Sequence, residues 1–172
     1  MYKVLAADDE VWIRRWLEKT IPEVMPDCRV AAVAEDGEAA LRALREEEID
    51  IVVSDIRMPM ATGLEIALAA GKGEKRPKVI LVSGYDEFGY AKQAIDLNVV
   101  SYLLKPIDKQ ELQQALQSAY GQMQTGSTAI AQFNRYMQDA DAAARPLEGV
   151  SKDIDYPTLI YDGPFSDVVS GG

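Results

Sequence analysis

The sequence predicts an α/β protein built on one doubly wound, five-stranded parallel sheet, with a small appendage at its C-terminal end. Three observations carry this expectation. Between residues 1 and 122, short apolar runs rich in β-branched residues alternate with helical patterns, five times over. The runs are apolar at successive positions, as parallel strands covered by helices on both faces require. The composition then changes at Gly126-Ser127, a boundary signal.

Each element can be justified in order. YKVLAA (residues 2–7) reads as the first strand. Trp12, Ile13, Trp16, Leu17 and Ile21 then follow helical spacing, and this first helix is expected to end before Pro22. RVAAVA (29–34) is the second strand, and GEAALRALREEE (37–48) the second helix, with Ala40, Leu41 and Leu44 on its inner face. DIVVSD (50–55) and GLEIALAA (63–70) supply the third pair, KVILVSG (78–84) and FGYAKQAIDLN (88–98) the fourth. SYLLK (101–105) is the fifth strand. The fifth helix follows from 108 to 124, with Asp108 as its N-cap.

Composition excludes several function classes. A chain of 172 residues suits one domain plus an appendage, and an apolar share of 48% is enough to bury a core. A net charge of -10 argues against nucleic acid as a partner of this chain, because a DNA-binding surface needs an excess of Lys and Arg. The chain has no His, which removes Ser-His-Asp and Cys-His catalysis and every His-containing zinc site. Cys28 stands alone, so neither an internal disulfide nor a cysteine zinc site can form. The opening MYKVLAADDE turns acidic within its first ten residues. It resembles neither a signal peptide nor a membrane span, so no membrane contact and a cytoplasmic location are expected.

Charged and polar residues stand where the strands stop. The first strand ends at Asp8 and Asp9, the third at Asp55, the fourth at Ser83 and the fifth at Lys105. In a doubly wound sheet the ligand site lies beyond the carboxyl ends of the strands, so these five should converge on one rim. Taken singly, each has an ordinary role: Asp55 as a turn former, Asp8-Asp9 as a solvated helix start, Lys105 as a turn lysine. Together they describe a pocket. Three crowded carboxylates stay ionised only beside a cation, and oxygen donors suit Mg²⁺. A carboxylate in such a place can act as the nucleophile of a phosphoryl transfer. Lys105 can offer a point charge to the product, and the Ser83 hydroxyl a hydrogen bond.

The stretches VLAADDE, IVVSDIRMP, VILVSGYDEF and YLLKPI resemble the receiver domain of bacterial response regulators, and the resemblance covers residues 1–122. It implies a flavodoxin-like sheet of order 2-1-3-4-5. It also implies that Asp55 is the phospho-acceptor, loaded from a phosphohistidine on a sensor histidine kinase. Asp8, Asp9 and Asp55 would ligate Mg²⁺, joined by the backbone carbonyl of Arg57. Ser83 and Tyr102 would form the switch pair, with Lys105 contacting the phosphoryl group. The Lys105-Pro106 bond is often cis in the family. The face of the fourth helix, fifth strand and fifth helix would change shape on phosphorylation and offer a homodimer surface. Arg57 and Tyr85, each two positions after a site residue, are expected to restrict water's approach to the phosphoryl group.

The segment SGYDEFGYAKQAIDLNVVSYLLKPID is similar to receivers joined to AraC-type DNA-binding domains. A transcription-regulating parent is therefore implied, while this chain supplies no part that would read DNA. The implied role is a signalling switch rather than an enzyme acting on outside substrates. A rival, a Mg²⁺-dependent phosphohydrolase with an Asp nucleophile, would typically need a second Asp where Arg57 stands. A non-phosphorylated interaction module is the third alternative.

Residues 123–172 are read separately. Ile130, Phe133, Tyr136, Met137 and Ala140 follow helical spacing, with Ser127 as an N-cap, and TLIYDGPFSDVV (158–169) suggests a hairpin about Asp162-Gly163. EGVSKDIDYPTLIYDGPFSD (148–167) is similar to a stretch of YpeB-type spore-germination proteins. With the linker-like TGS and SGG, this implies a fused fragment; a natural extension is the alternative.

Overall fold

A computed structural model describes residues 1–84 and 88–125. Five strands and five helices alternate: β1 (Tyr2–Ala7), α1 (Val11–Val24), β2 (Cys28–Ala34), α2 (Gly37–Glu46), β3 (Ile51–Asp55), α3 (Gly63–Lys72), β4 (Lys78–Ser83), α4 (Phe88–Asp96), β5 (Ser101–Leu104) and α5 (Lys109–Thr125). The strands form one parallel sheet of order β2-β1-β3-β4-β5. The expected fold class and strand order are thus what the molecule adopts, and α5 runs past residue 122.

The apolar strands divide their residues between two cores, because successive side chains leave a strand on opposite faces. Val4, Ala6, Ile51, Val53, Ile80, Val82 and Leu103 pack with Ile13, Leu17 and Ile21 of α1 and Leu112, Leu116 and Ala119 of α5. Leu5, Ala7, Val52, Leu81 and Tyr102 pack on the other face with Ala40, Leu64, Ile66, Ala67 and Ala94 of α2, α3 and α4. Burial on both sides is why these strands show no polar alternation.

Side chains cap three of the helices. Asp36 accepts from Ala39 N at 2.7 Å at the start of α2. Thr62 and Glu65 form a reciprocal capping box on α3. Asp108 accepts from Gln110 N and Glu111 N at 2.8 and 3.1 Å, as its position before α5 predicts.

One expectation for α1 needs correction. The helix does not stop before Pro22 but continues through it to Val24. Proline at that point forfeits a single helical hydrogen bond. Ile21 is fully buried and Met25 nearly so, and the Met25 N–H still closes the last turn on Ile21 O at 2.9 Å. Packing of this turn outweighs the missing donor. Trp12 shares the helical spacing but not the core: it is 61% exposed, and its indole N–H donates to Glu10 Oε2 at 2.9 Å. The helix and hairpin expected after residue 126, and Tyr85, lie outside the described residues.

Candidate functional site

The site begins with the register of β1 against β3. Ala7 pairs with Ser54, so the next residues, Asp8 just beyond β1 and Asp55 at the last position of β3, lie side by side. The backbone holds both ends in place: Asp8 N donates to Ala34 O at 3.1 Å, and Ile56 N to Val82 O at 2.9 Å. On the same rim, Lys105 N donates to Ser83 O at 2.8 Å, which ties the end of β5 to the end of β4. Asp8 and Asp55 are buried, whereas Asp9 is exposed. One carboxylate oxygen from each of the three lies within 4.8 Å of the others. Convergence of Asp8, Asp9, Asp55 and Lys105 on one rim is therefore a property of the structure.

Lys105 answers the crowding of charge. Its Nζ is 2.9 Å from Asp55 Oδ2 and 3.0 Å from Asp8 Oδ2. Burial pushes the Asp55 carboxyl up from 3.8 to about 6, with the Asp8 charge adding to the rise and the Lys105 hydrogen bond opposing it. Burial raises Asp8 as well, against the pull of the Glu10 N–H and Lys105. Despite its own burial, Lys105 is held well above the usual lysine range, by hydrogen bonds from its ammonium to Asp55 and Asp8. The ammonium is thus firmly charged beside the two buried carboxylates.

The remaining expected residues are placed as follows. Ser83 is fully buried at the end of β4, and its hydroxyl donates to Gly84 O at 3.1 Å. Tyr102, opposite Leu81 in the sheet, is buried in the core that faces α2, α3 and α4. Arg57 carries an exposed side chain, and its N–H donates to Asp55 Oδ1 at 3.4 Å. The Lys105-Pro106 peptide is cis.

Three residues that sequence reasoning missed complete the surroundings. Glu10 Oε1 lies 3.1 Å from Lys105 Nζ, which makes it a third acceptor for the ammonium. Its membership of the run ADDE was the available signal. Arg14, on the first turn of α1, donates from Nη1 to the carbonyls of Asp8 and Asp9 at 2.7 and 3.0 Å. It fixes the backbone that carries both carboxylates. Gly63 lets the start of α3 close on β3: its N–H donates to Ile56 O at 2.8 Å, and a Cβ there would run into the Asp55 carbonyl.

Oxygen donors from three carboxylates fit a hard divalent cation. The lysine fits a product bearing added negative charge. Among the described residues no helix is long and apolar enough to cross a membrane.

Comparison with known proteins agrees with this geometry. The family described as the response regulator receiver domain matches residues 4–117. An uncharacterized response regulatory protein of Vibrio cholerae is 32% identical over 148 residues, covering 84% of this chain and 56% of that protein. Transcriptional regulatory protein HptR of Staphylococcus aureus is 33% identical over 162 residues, covering 94% of this chain and 62% of that protein. The chain thus spans less than two thirds of the length of these relatives. Among solved structures, the REC domain of AraT, a response regulator from Geobacillus stearothermophilus, superposes with a TM-score of 0.64 at 39% identity, covering 73% of this chain and 98% of that one. A receiver domain protein from Clostridium thermocellum gives a TM-score of 0.67 at 26% identity, covering 74% and 100%. Receiver domains pair with histidine kinases and generally bind Mg²⁺ at an acidic pocket. On its rim of carboxylates and lysine, its strand order and these matches, the chain belongs to the receiver domain family of two-component response regulators.

Proposed function

We propose that Asp55 accepts a phosphoryl group from a phosphohistidine of a partner kinase. An Asp55 carboxylate oxygen attacks phosphorus, the P–N bond to the histidine breaks, and the bonding pair leaves with the imidazole. The observation that carries this reading is the position of Lys105 Nζ, 2.9 Å from Asp55 Oδ2 and 3.0 Å from Asp8 Oδ2. An ammonium held over the pocket beside Asp55 stands where negative charge builds on the transferred group. Asp8, Asp9 and Asp55, with the carbonyl of Arg57, would hold Mg²⁺. When bound, that ion supplies positive charge to the phosphoryl oxygens.

The same reading gives the remaining residues their roles. The Ser83 hydroxyl donates to a phosphoryl oxygen, and its movement frees or fills space beside Tyr102. The face formed by α4, β5 and α5 then presents one of two shapes to a partner, including a second copy of the chain. A cytoplasmic setting fits a receiver domain, and a parent with an AraC-type DNA-binding domain is implied by the resemblance of residues 83–108; HptR of Staphylococcus aureus is a transcriptional regulatory protein, and AraT is a response regulator. The domain division at 122 and a fused origin for 123–172 belong to the same proposal. Mass spectrometry of the product of the native gene tests the origin.

Incubation with acetyl phosphate and Mg²⁺, beside an Asp55→Ala control and followed by sizing, tests the function. A stable adduct on the wild type alone supports the switch. Continuous phosphate release from varied substrates would indicate a phosphohydrolase, and no reaction a passive module.

A further inference from the structure

Lys105 has three N–H donors, and three carboxylates surround it. Asp55 Oδ2 lies at 2.9 Å, Asp8 Oδ2 at 3.0 Å and Glu10 Oε1 at 3.1 Å. The first two do not stay constant in the proposed cycle. Asp8 turns to the cation, and Asp55 becomes the acyl phosphate. Glu10 belongs to neither event. Its other oxygen, Oε2, accepts the Trp12 indole N–H at 2.9 Å. That bond accounts for a tryptophan held in the open on the first turn of α1, 61% exposed. Trp12 and Lys105 also line one small cleft, with Ile13, Trp16, Pro106 and Ile107.

We infer that Glu10, anchored by the Trp12 indole, is a positioning residue for Lys105: it holds the ammonium over the pocket while Asp8 and Asp55 change partners. This rests on the phosphoryl-accepting reading of Asp55. The chemistry is one of competition. In the metal-free protein Lys105 occupies Asp8 and Asp55, the carboxylates a cation must engage. With Glu10 in place, Lys105 yields them and keeps an acceptor. Without Glu10, it yields them only by leaving the ammonium unpaired in a site where its side chain is 19% exposed. Glu10 therefore favours cation binding and leaves Lys105 within reach of the phosphoryl oxygens.

The test uses the full chain, with Mn²⁺ as the probe for the cation and acetyl phosphate as the donor. Free Mn²⁺ is measured by electron paramagnetic resonance for the wild type, Trp12→Phe, Glu10→Ala, Glu10→Gln and the double variant Trp12→Phe/Glu10→Ala. Phosphorylation rates are taken on the same set at saturating metal. Both side chains lie at the surface, and unchanged urea midpoints check that the variants fold.

Trp12→Phe keeps every charge and removes only the anchor, so it should weaken Mn²⁺ binding roughly threefold, the value of one modest hydrogen bond. Glu10→Ala should weaken it about tenfold, by losing a charged acceptor. Glu10→Gln, which retains an oxygen for Lys105, should recover part of that loss. In the Glu10→Ala background Trp12→Phe should add nothing, since the indole acts only through Glu10. Variants that match the wild type in affinity and rate would overturn the inference and leave the function of Asp55 standing. Additive effects in the double variant would overturn it equally. A wild type that neither binds Mn²⁺ nor takes up the phosphoryl group would bring down both.

Discussion

Asp55→Asn should stabilise the metal-free protein at neutral pH. Folding carries the Asp55 carboxyl from 3.8 to about 6. Holding it ionised in the native state therefore costs up to roughly 3 kcal/mol. The sign follows from proton binding. Between these two values the folded chain keeps a proton that the unfolded chain has lost, so stability falls as pH rises through that window. Below 3.8 both states carry the proton and the cost is absent; above 6 it is complete. Asparagine copies the neutral acid in shape and removes the charge. It gives up part of the Lys105 hydrogen bond, so a net gain of about 2 kcal/mol is expected at pH 7.5, equivalent to about 5–10 °C in midpoint for a domain of this size. Urea unfolding of both proteins in EDTA, at several pH values from 4 to 8, measures the difference. The gap should close as pH falls from 6 toward 4. A constant gap, or an asparagine variant no more stable than the wild type at pH 7.5, would refute the assignment of the penalty to a buried, ionised Asp55.

Other perturbations have equally definite outcomes. Lys105→Met should slow phosphorylation of Asp55 by acetyl phosphate roughly tenfold or more, the value of a lost charge-assisted hydrogen bond; an unchanged rate would remove Lys105 from the transfer. Gly63→Ala forces a methyl group into the Asp55 carbonyl. It should cost about 1–3 kcal/mol in urea unfolding and slow phosphorylation as well, because the backbone that aims Asp55 must move. Arg57→Ala should shorten the lifetime of the phosphorylated protein by admitting water, measured as phosphate release after the donor is removed.

The sheet and its rim were readable because of how parallel strands are buried. A strand covered on both faces is an unbroken apolar run, and its end is visible as the first residue that must meet water or a charge. IVVSD stops at Asp55 and VLAADD at Asp8 for that reason. The converging residues could be identified before the distances between them were known. Glu10 and Arg14 were not legible in the same way. Glu10 extends an acidic run that looks like a solvated helix start, and only the path of Lys105 shows that its carboxylate turns back over the pocket. The role of Arg14 depends on α1 folding over the carbonyls of Asp8 and Asp9, a contact that periodicity does not encode. Pro22 misled in the opposite direction: a local breaking signal lost to the burial of Ile21 and Met25 around it. Trp12 had the spacing of a core residue but not the angle, and its indole found a carboxylate instead.

The central claim is that chemistry occurs at the Asp55 carboxylate. Treating the protein with acetyl phosphate and Mg²⁺, then reducing it with borohydride, converts an aspartyl phosphate to homoserine at its own position. Peptide mapping should find that change at residue 55 and nowhere else, and only when donor and metal are both present. Homoserine at Asp8 or Asp9, or none in a protein shown to be folded, would contradict the account.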